Sequence, residues 1–120
     1  MVTVTIPLRL PSVANLREHW AKKAKRAKQH RGLAEMFTRN ALGSRVLVYP
    51  SMSHRVTVTI TRVAPRSLDA DNCVSACKAA RDGVADALDV DDGDERVTWQ
   101  YAQRKGERAL EIRIETWGEK

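Results

Sequence analysis

Strict alternation of apolar and polar residues in segment 54–63 is the feature that most limits the folds open to this chain. Val56, Val58 and Ile60 share one face of an extended backbone, while threonines occupy the other face. This pattern is typical of a strand that buries one side only. A sheet with one covered face is therefore the expected core of the protein.

The remaining periodicities predict how this strand is completed into a domain. The whole chain, 1–120, is expected to form one small α/β (α+β) domain, with a mixed or mostly antiparallel sheet of about four strands and two main helices packed on it. A turn at residues 105–107 is expected to join the last two strands as a hairpin, and Gly32 marks a point where the first helix can kink. Further strands are predicted at 1–10, 97–102 and 109–117, and helices at about 15–42 and 72–88.

Charge and composition narrow the class of protein. The chain of 120 residues carries a net charge of +6, which favours an anionic partner, either nucleic acid or a membrane surface. No apolar run is long enough to span a bilayer, and the start of the chain lacks the pattern of a signal peptide, so we expect a cytoplasmic protein. Cys73 and Cys77 are expected to be small buried residues of the second helix rather than a disulfide or zinc ligands.

Basic residues concentrate in the first predicted helix, where acidic partners are few. Most charge runs are a solvated helix surface, but here pairing within the helix cannot neutralise the run, so contact with phosphates is an equal alternative. The candidate DNA-binding residues are Lys22, Lys23, Lys25, Arg26 and Lys28, with Arg66 from the turn that follows the central strand.

Most of the carboxylates crowd into one region, residues 69–95, which contains the second predicted helix and an acidic segment on either side of it. The first reads Asp69-Ala70-Asp71-Asn72, and the second covers residues 89–95. Carboxylates that crowd together need a cation or solvent, and Mg²⁺ usually takes one or two of them with water and substrate phosphate. The structural alternative is that Asp71 and Asn72 are helix N-caps and the second segment is a solvated turn. A calcium loop is excluded, because its sixth position would be Asp94 instead of glycine.

These motifs resemble the RusA family of Holliday junction resolvases, small nucleases of bacteria and their phages. The first acidic segment resembles the family's D-x-D-N, and Asp91-Asp92 resembles its D-D before a strand. The helix end Asp86-Ala87-Leu88 and the early Pro11-Ser12 with Asn15 are similar as well, and the order of elements agrees along nearly the whole chain. Two features differ: the intervening helix is about two turns longer, and Ser75 stands where the family has an essential lysine.

The resemblance implies a homodimer that binds branched DNA and nicks two opposing strands of a four-way junction. It implies Mg²⁺, with Mn²⁺ as a substitute, held by Asp69, Asp71 and a third aspartate. Asp92 matches the family's acidic pair and is favoured, whereas Asp94 matches when counted back from the strand at Val97. Lys78, or alternatively Arg81, would steady the phosphate.

Two other functions remain open from the residues themselves. One is a non-catalytic nucleic-acid-binding module of the same fold, in which the acids are caps and solubilising groups. The other is a small RNase, for which the chain lacks a histidine pair at a suggestive spacing.

Overall fold

The structure is a computed structural model that describes residues 2–10, 20–43, 54–91 and 93–118. The predicted order of elements and the predicted class are confirmed, with a four-stranded mixed sheet and two helices. The elements are β1 (Val2–Ile6), α1 (Trp20–Leu42), β2 (His54–Ala64), α2 (Ala70–Leu88), β3 (Val97–Lys105) and β4 (Ala109–Gly118).

The sheet has the strand order β1-β4-β2-β3. Strand β4 runs antiparallel to both of its neighbours, β1 and β2, while β3 runs parallel to β2. Therefore β1, β2 and β3 all point the same way and end at one edge of the sheet, which we call the carboxyl edge. The opposite edge, where these three strands begin, is the amino edge. Helix α2 is the crossover that carries the chain from the carboxyl edge back to the start of β3.

The predicted hairpin between the last two strands is wrong. Strand β3 pairs only with β2 among the described strands, and β4 inserts between β1 and β2. Between β3 and β4 the chain passes over the end of β2 at Gly106. The Gly106 N–H donates to the Ala64 carbonyl at 3.2 Å, and a Cβ at Gly106 would lie 3.1 Å from Val63 Cγ1. The turn that looks like a hairpin turn in sequence is thus a crossing over a neighbouring strand.

Burial explains why β4 takes the central position. Leu110, Ile112 and Ile114 are fully buried at 0% exposure, so this strand gains most from neighbours on both sides. The corresponding residues of β3 include Trp99 and Tyr101, which are only half-buried and suit an edge strand. Each fully buried aliphatic side chain contributes on the order of 1.5–3 kcal/mol, so the placement of β4 weighs heavily on stability.

The two helices cover one face of the sheet and enclose the core. In α2 the buried face includes Cys73, Cys77, Val84 and Leu88, as its helical spacing requires. The predicted burial of the two cysteines on one face of the second helix is confirmed. Burial, together with the neighbouring Cys73, raises the pKa of the Cys77 thiol well above its ordinary value.

Helix α1 lies beside α2 and runs in the same direction. It continues through Gly32 without a break. The helices meet most closely at Gly83, where an added Cβ would lie 2.2 Å from the carbonyl oxygen of Arg31 and 2.9 Å from the Cβ of Ala34. Across the described ranges, neither helix has the length and apolar character that crossing a membrane requires.

Candidate functional site

The two aspartates of the first acidic motif lie at the carboxyl edge, where β2 leads into α2. After β2 the chain bends at Pro65 and Arg66, and α2 begins at Ala70. Asp69 immediately precedes the helix, with φ −58° and ψ 152°, yet its carboxylate makes no capping hydrogen bond. Asp71 lies in the first turn, where the helix dipole stabilises negative charge. The capping position is therefore Asp69, one of the predicted metal ligands, and its side chain is not used as a cap.

Both of these aspartates are exposed at the protein surface. Among the residues that the structure describes, no ion pair involves Asp69 or Asp71. Exposed carboxylate oxygens of this kind fit a hard divalent cation, which completes its octahedron with water and substrate phosphate. The donor set at the start of α2 therefore fits Mg²⁺ or Mn²⁺, with two protein carboxylates.

The second acidic segment lies at the other end of α2, near the amino edge. Asp89 ends the helix in the left-handed conformation, with φ 58° and ψ 47°, and its N–H donates to the carbonyl groups of Ala85 and Asp86. Helix α2 has 19 residues, which corresponds to a length of about 28 Å at 1.5 Å per residue. Within one copy of the chain, the described acids of the second segment therefore do not share an ion with Asp69 and Asp71.

Asp94, one of the two candidates for the third ligand, is occupied by Arg96. The Arg96 side chain donates to both carboxylate oxygens at 3.0 and 2.7 Å, and its backbone N–H donates to the first of them at 2.9 Å. These hydrogen bonds hold the pKa of Asp94 down to about 2. The interaction closes the turn that leads into β3, so the Asp94 carboxylate is engaged by Arg96 in this structure, and a metal-binding role for Asp94 stays a prediction.

Asp92, the favoured third ligand, lies outside the described residues, and its role stays a prediction. Its described neighbours, Asp91 and Gly93, are exposed at the amino-edge end of α2. Within the described part of the chain, no group of three or more His, Cys, Asp or Glu residues is arranged to hold a metal ion. Of the predicted ligands that the structure describes, Asp69 and Asp71 therefore lie at the start of α2, and Asp94 lies beyond its other end.

The two cationic candidates of α2 have different surroundings. Lys78 is exposed and its ammonium group pairs with the Asp82 carboxylate one turn later, at 3.0 Å. Arg81 donates to the Tyr101 hydroxyl at 3.0 Å, and its guanidinium lies 4.7 Å from the centre of the Trp99 ring. A cation over an aromatic ring adds stability, so Arg81 fastens α2 to β3. Of the two, Lys78 is the one that solvent and a phosphate can reach.

Two of the predicted DNA-binding residues of α1 line a cleft beside the early part of α2. Lys23 and Arg26 line a cleft of about 500 Å³ between the helices, and Lys78 lines it from the other side. His30 lies buried in the same cleft, and burial, with Arg26 nearby, lowers its pKa. The remaining candidate cations on α1 are exposed, namely Lys22, Lys25 and Lys28.

Three residues at the carboxyl edge were not predicted from the sequence as candidate functional residues. Arg62, Gln103 and Lys105 line a small basic cavity together with the predicted Arg66. The alternation of β2 could have identified Arg62. Arg62 follows Val58 and Ile60 at two-residue spacing, so its side chain lies on the face of the sheet that the helices cover. No comparable pattern marks Gln103 or Lys105, because their position depends on the parallel pairing of β3 with β2.

The chain is similar to a protein whose name describes no function. The chain is 39% identical over 95 residues to an uncharacterized protein of Xylella fastidiosa (strain Temecula1). The match covers 77% of the chain, and the chain spans 61% of the length of that relative. No family model matches the chain, and no solved structure matches it either.

Proposed function

We propose that this protein is a Mg²⁺-dependent endonuclease that acts on branched DNA, with Asp69 and Asp71 as its metal ligands. The observation that carries the proposal is a pair of exposed aspartates, without an ion pair in the described part of the chain, at the same sheet edge as a cluster of cations. Carboxylates repel the phosphates that such cations attract. A divalent ion between the two groups removes this conflict, and nucleases use that arrangement.

Each group would have a defined task in the reaction. Asp69 and Asp71 hold the ion, which when bound activates water and stabilises the leaving oxygen of a phosphodiester. Lys78, exposed on α2, steadies the phosphate from the side of the cleft. The cations of α1 contact the phosphate backbone of the DNA arms. Such contacts suit an enzyme that recognises the shape of DNA rather than its sequence.

Paired nicks require two active sites, so we propose a homodimer acting on four-way junctions in the cytoplasm. The wider distribution of cations along α1 is consistent with several DNA arms meeting one surface. A nuclease that resolves junctions belongs to recombination, repair or phage DNA processing.

A non-catalytic nucleic-acid-binding module is the second candidate, and two observations favour it. The length of α2 separates the described acidic residues, and Asp94 is engaged by Arg96. In that case the basic surfaces bind DNA, while the acids shape turns and helix ends.

Incubation with a synthetic four-way junction and a matched linear duplex, in Mg²⁺, Mn²⁺ or EDTA, separates the two candidates. The nuclease should cut the junction only with metal, and Asp71→Asn should abolish cutting while keeping or improving binding. Asp91→Asn is the matched control, since Asp91 is also exposed but lies at the other end of α2. Junction binding in EDTA without cutting in either metal would support the binding module instead.

A further inference from the structure

The carboxyl ends of β2 and β3 form a cavity of about 220 Å³ whose lining residues, apart from Ala64, are polar or basic. Its walls come from two parallel strands and from the bend that precedes α2. The lining side chains that matter are Arg62, Arg66, Ser67, Gln103, Arg104 and Lys105.

Arg62 is held in place by neutral acceptors. Its Nε donates to the Leu10 carbonyl at 2.9 Å, and its Nη1 donates to the Arg66 carbonyl at 2.7 Å. Because both acceptors are uncharged, these hydrogen bonds orient the guanidinium without neutralising it. Two of its five N–H groups are used in this way. A fixed guanidinium loses little conformational entropy when it binds an anion.

The net charge of the cavity is strongly positive. Arg104 is paired with the Glu111 carboxylate across the sheet, so its charge is balanced. In contrast, no carboxylate pairs with Arg62, Arg66 or Lys105 anywhere in the described ranges. Three cations that face one small cavity, without a carboxylate partner among the described residues, repel each other, and a bound anion relieves that repulsion.

Gln103 connects this cavity to the carboxylate pair. Its side-chain amide donates to the Leu68 carbonyl at 2.8 Å, and its side-chain oxygen accepts from the Leu68 N–H at 2.8 Å. Leu68 directly precedes Asp69, so the same glutamine forms the wall of the cavity and fixes the start of the acidic motif. The wall of the cavity and the first acidic motif are therefore joined through Gln103 and Leu68.

We propose that this cavity binds one phosphodiester group of a nucleic-acid strand and positions that strand beside Asp69 and Asp71. The choice of a nucleic-acid strand rests on the proposed function, whereas the anion site rests on the cavity itself. Guanidinium groups with a lysine match the oxygen-rich, singly charged phosphodiester. Arg62, Arg66 and Lys105 are positioning residues, since they hold the strand and not the reacting atoms.

Binding of DNA in EDTA tests the proposal without any cleavage. Lys105→Ala and Arg66→Ala should each weaken the affinity for a single-stranded oligonucleotide several-fold, and each should lower the slope of log K against log salt by about 0.7. Arg108→Ala is the matched control, because Arg108 is an exposed cation next to the same turn but does not line the cavity. Slopes equal to wild type in both cavity variants, with unchanged melting temperatures, would overturn the proposal.

Two further arms identify the source of the phosphate. Inorganic phosphate should compete with the oligonucleotide for wild type more effectively than for Lys105→Ala. A 5′-phosphate on the oligonucleotide should not change the affinity, and a strong preference for it would replace the backbone site with a site for a terminal phosphate. If the cavity variants show the lower salt slope but wild type does not cut DNA, the anion site stands and only the nuclease proposal fails. If wild type cuts DNA but the cavity variants have the same salt slope as wild type, only the anion site fails.

Discussion

Arg31 on α1 donates two hydrogen bonds to the carboxylate of Asp86 on α2, at 2.7 and 2.9 Å. Arg39 adds a hydrogen bond to the backbone carbonyl of Asp86, at 2.8 Å. The aspartate in the helix-end motif therefore ties the two helices together. Its paired guanidinium holds the pKa of Asp86 below the ordinary value. Through this contact, the basic helix keeps a fixed position relative to the candidate site.

A double-mutant cycle with Arg31→Ala and Asp86→Asn should give a small, favourable coupling free energy of unfolding. The value is small because the side chains are 52% and 33% exposed, so water screens the pair. Urea unfolding measures it. The same cycle on the more exposed pair Arg113 and Glu115 serves as the control and should give a smaller coupling. Equal coupling in both cycles would mean that the Arg31–Asp86 pair does not fasten the helices.

Gly83→Ala should destabilise the protein by about 2–3 kcal/mol, because the new methyl group would meet the backbone of α1 at Arg31. Gly32→Ala is the matched control, since nothing lies within 4 Å of a Cβ there. In an exposed helix interior, that change should stabilise by about 0.5–1 kcal/mol. Thermal or urea unfolding gives both values. A neutral Gly83→Ala would show that the helices are not in close contact at this point.

Local patterns predicted the elements well because each periodicity depends on neighbours in sequence. The alternation of Val56, Val58 and Ile60 locates β2 correctly. Helix α2 begins at Ala70, two residues before the predicted start, because Asp69 rather than Asp71 occupies the capping position. Residue types alone do not distinguish these two aspartates as the cap.

Local patterns do not predict which strands are neighbours in the sheet, nor how far apart the two acidic segments lie. The turn at Gly106 has the composition of a hairpin turn, and only the pairing of β4 with β1 and β2 shows that the turn crosses β2. Similarly, the residues of the two acidic segments look alike in sequence. Their separation follows from the length of α2 and from the pairing of Asp94 with Arg96.

Asp94→Asn should lower the melting temperature at neutral pH. In acid, the variant and wild type should have the same melting temperature. The Arg96 hydrogen bonds depress the pKa of Asp94 from 3.8 to about 2. A carboxyl group with a depressed folded-state pKa stabilises the protein above its unfolded pKa, and this contribution disappears as the pH falls through the folded value. The difference between wild type and Asp94→Asn should therefore shrink between about pH 4 and 2. A constant difference across this range would mean that the ion pair is not formed in solution.

Charge reversal on α1 should weaken binding to all DNA and flatten its salt dependence. Lys22→Glu with Lys25→Glu removes two exposed cations, so the slope of log K against log salt should fall by about 1 for each phosphate that the helix no longer neutralises. The control with the same change in net charge reverses Arg55 and Arg113, which are exposed on the sheet face away from the helices. Equal effects of the two double variants would show that α1 acts only through the total charge of the protein.

Mg²⁺ should raise the melting temperature of wild type by binding to the folded state, and this rise should depend on the carboxylates at the start of α2. Asp71→Asn should abolish the rise. Asp94→Asn should lower the melting temperature without metal but keep the rise, because its carboxylate serves Arg96 at the other end of α2. A rise of the same size in Asp71→Asn would place the bound ion elsewhere on the protein.

Asp92→Asn decides whether the second acidic segment belongs to the metal site at all. The family motif predicts that this variant loses cleavage by at least the roughly hundredfold that follows loss of a metal ligand or its support, while Asp91→Asn costs much less. Because the rest of that segment lies a helix length from Asp71 within one copy, such a loss requires the segment of one copy to reach the carboxylate pair of another. An equimolar mixture of Asp71→Asn and Asp92→Asn should then recover part of the cleavage, since a mixed dimer would contain one intact site. Full activity of Asp92→Asn would leave Asp69 and Asp71 as the complete set of protein ligands.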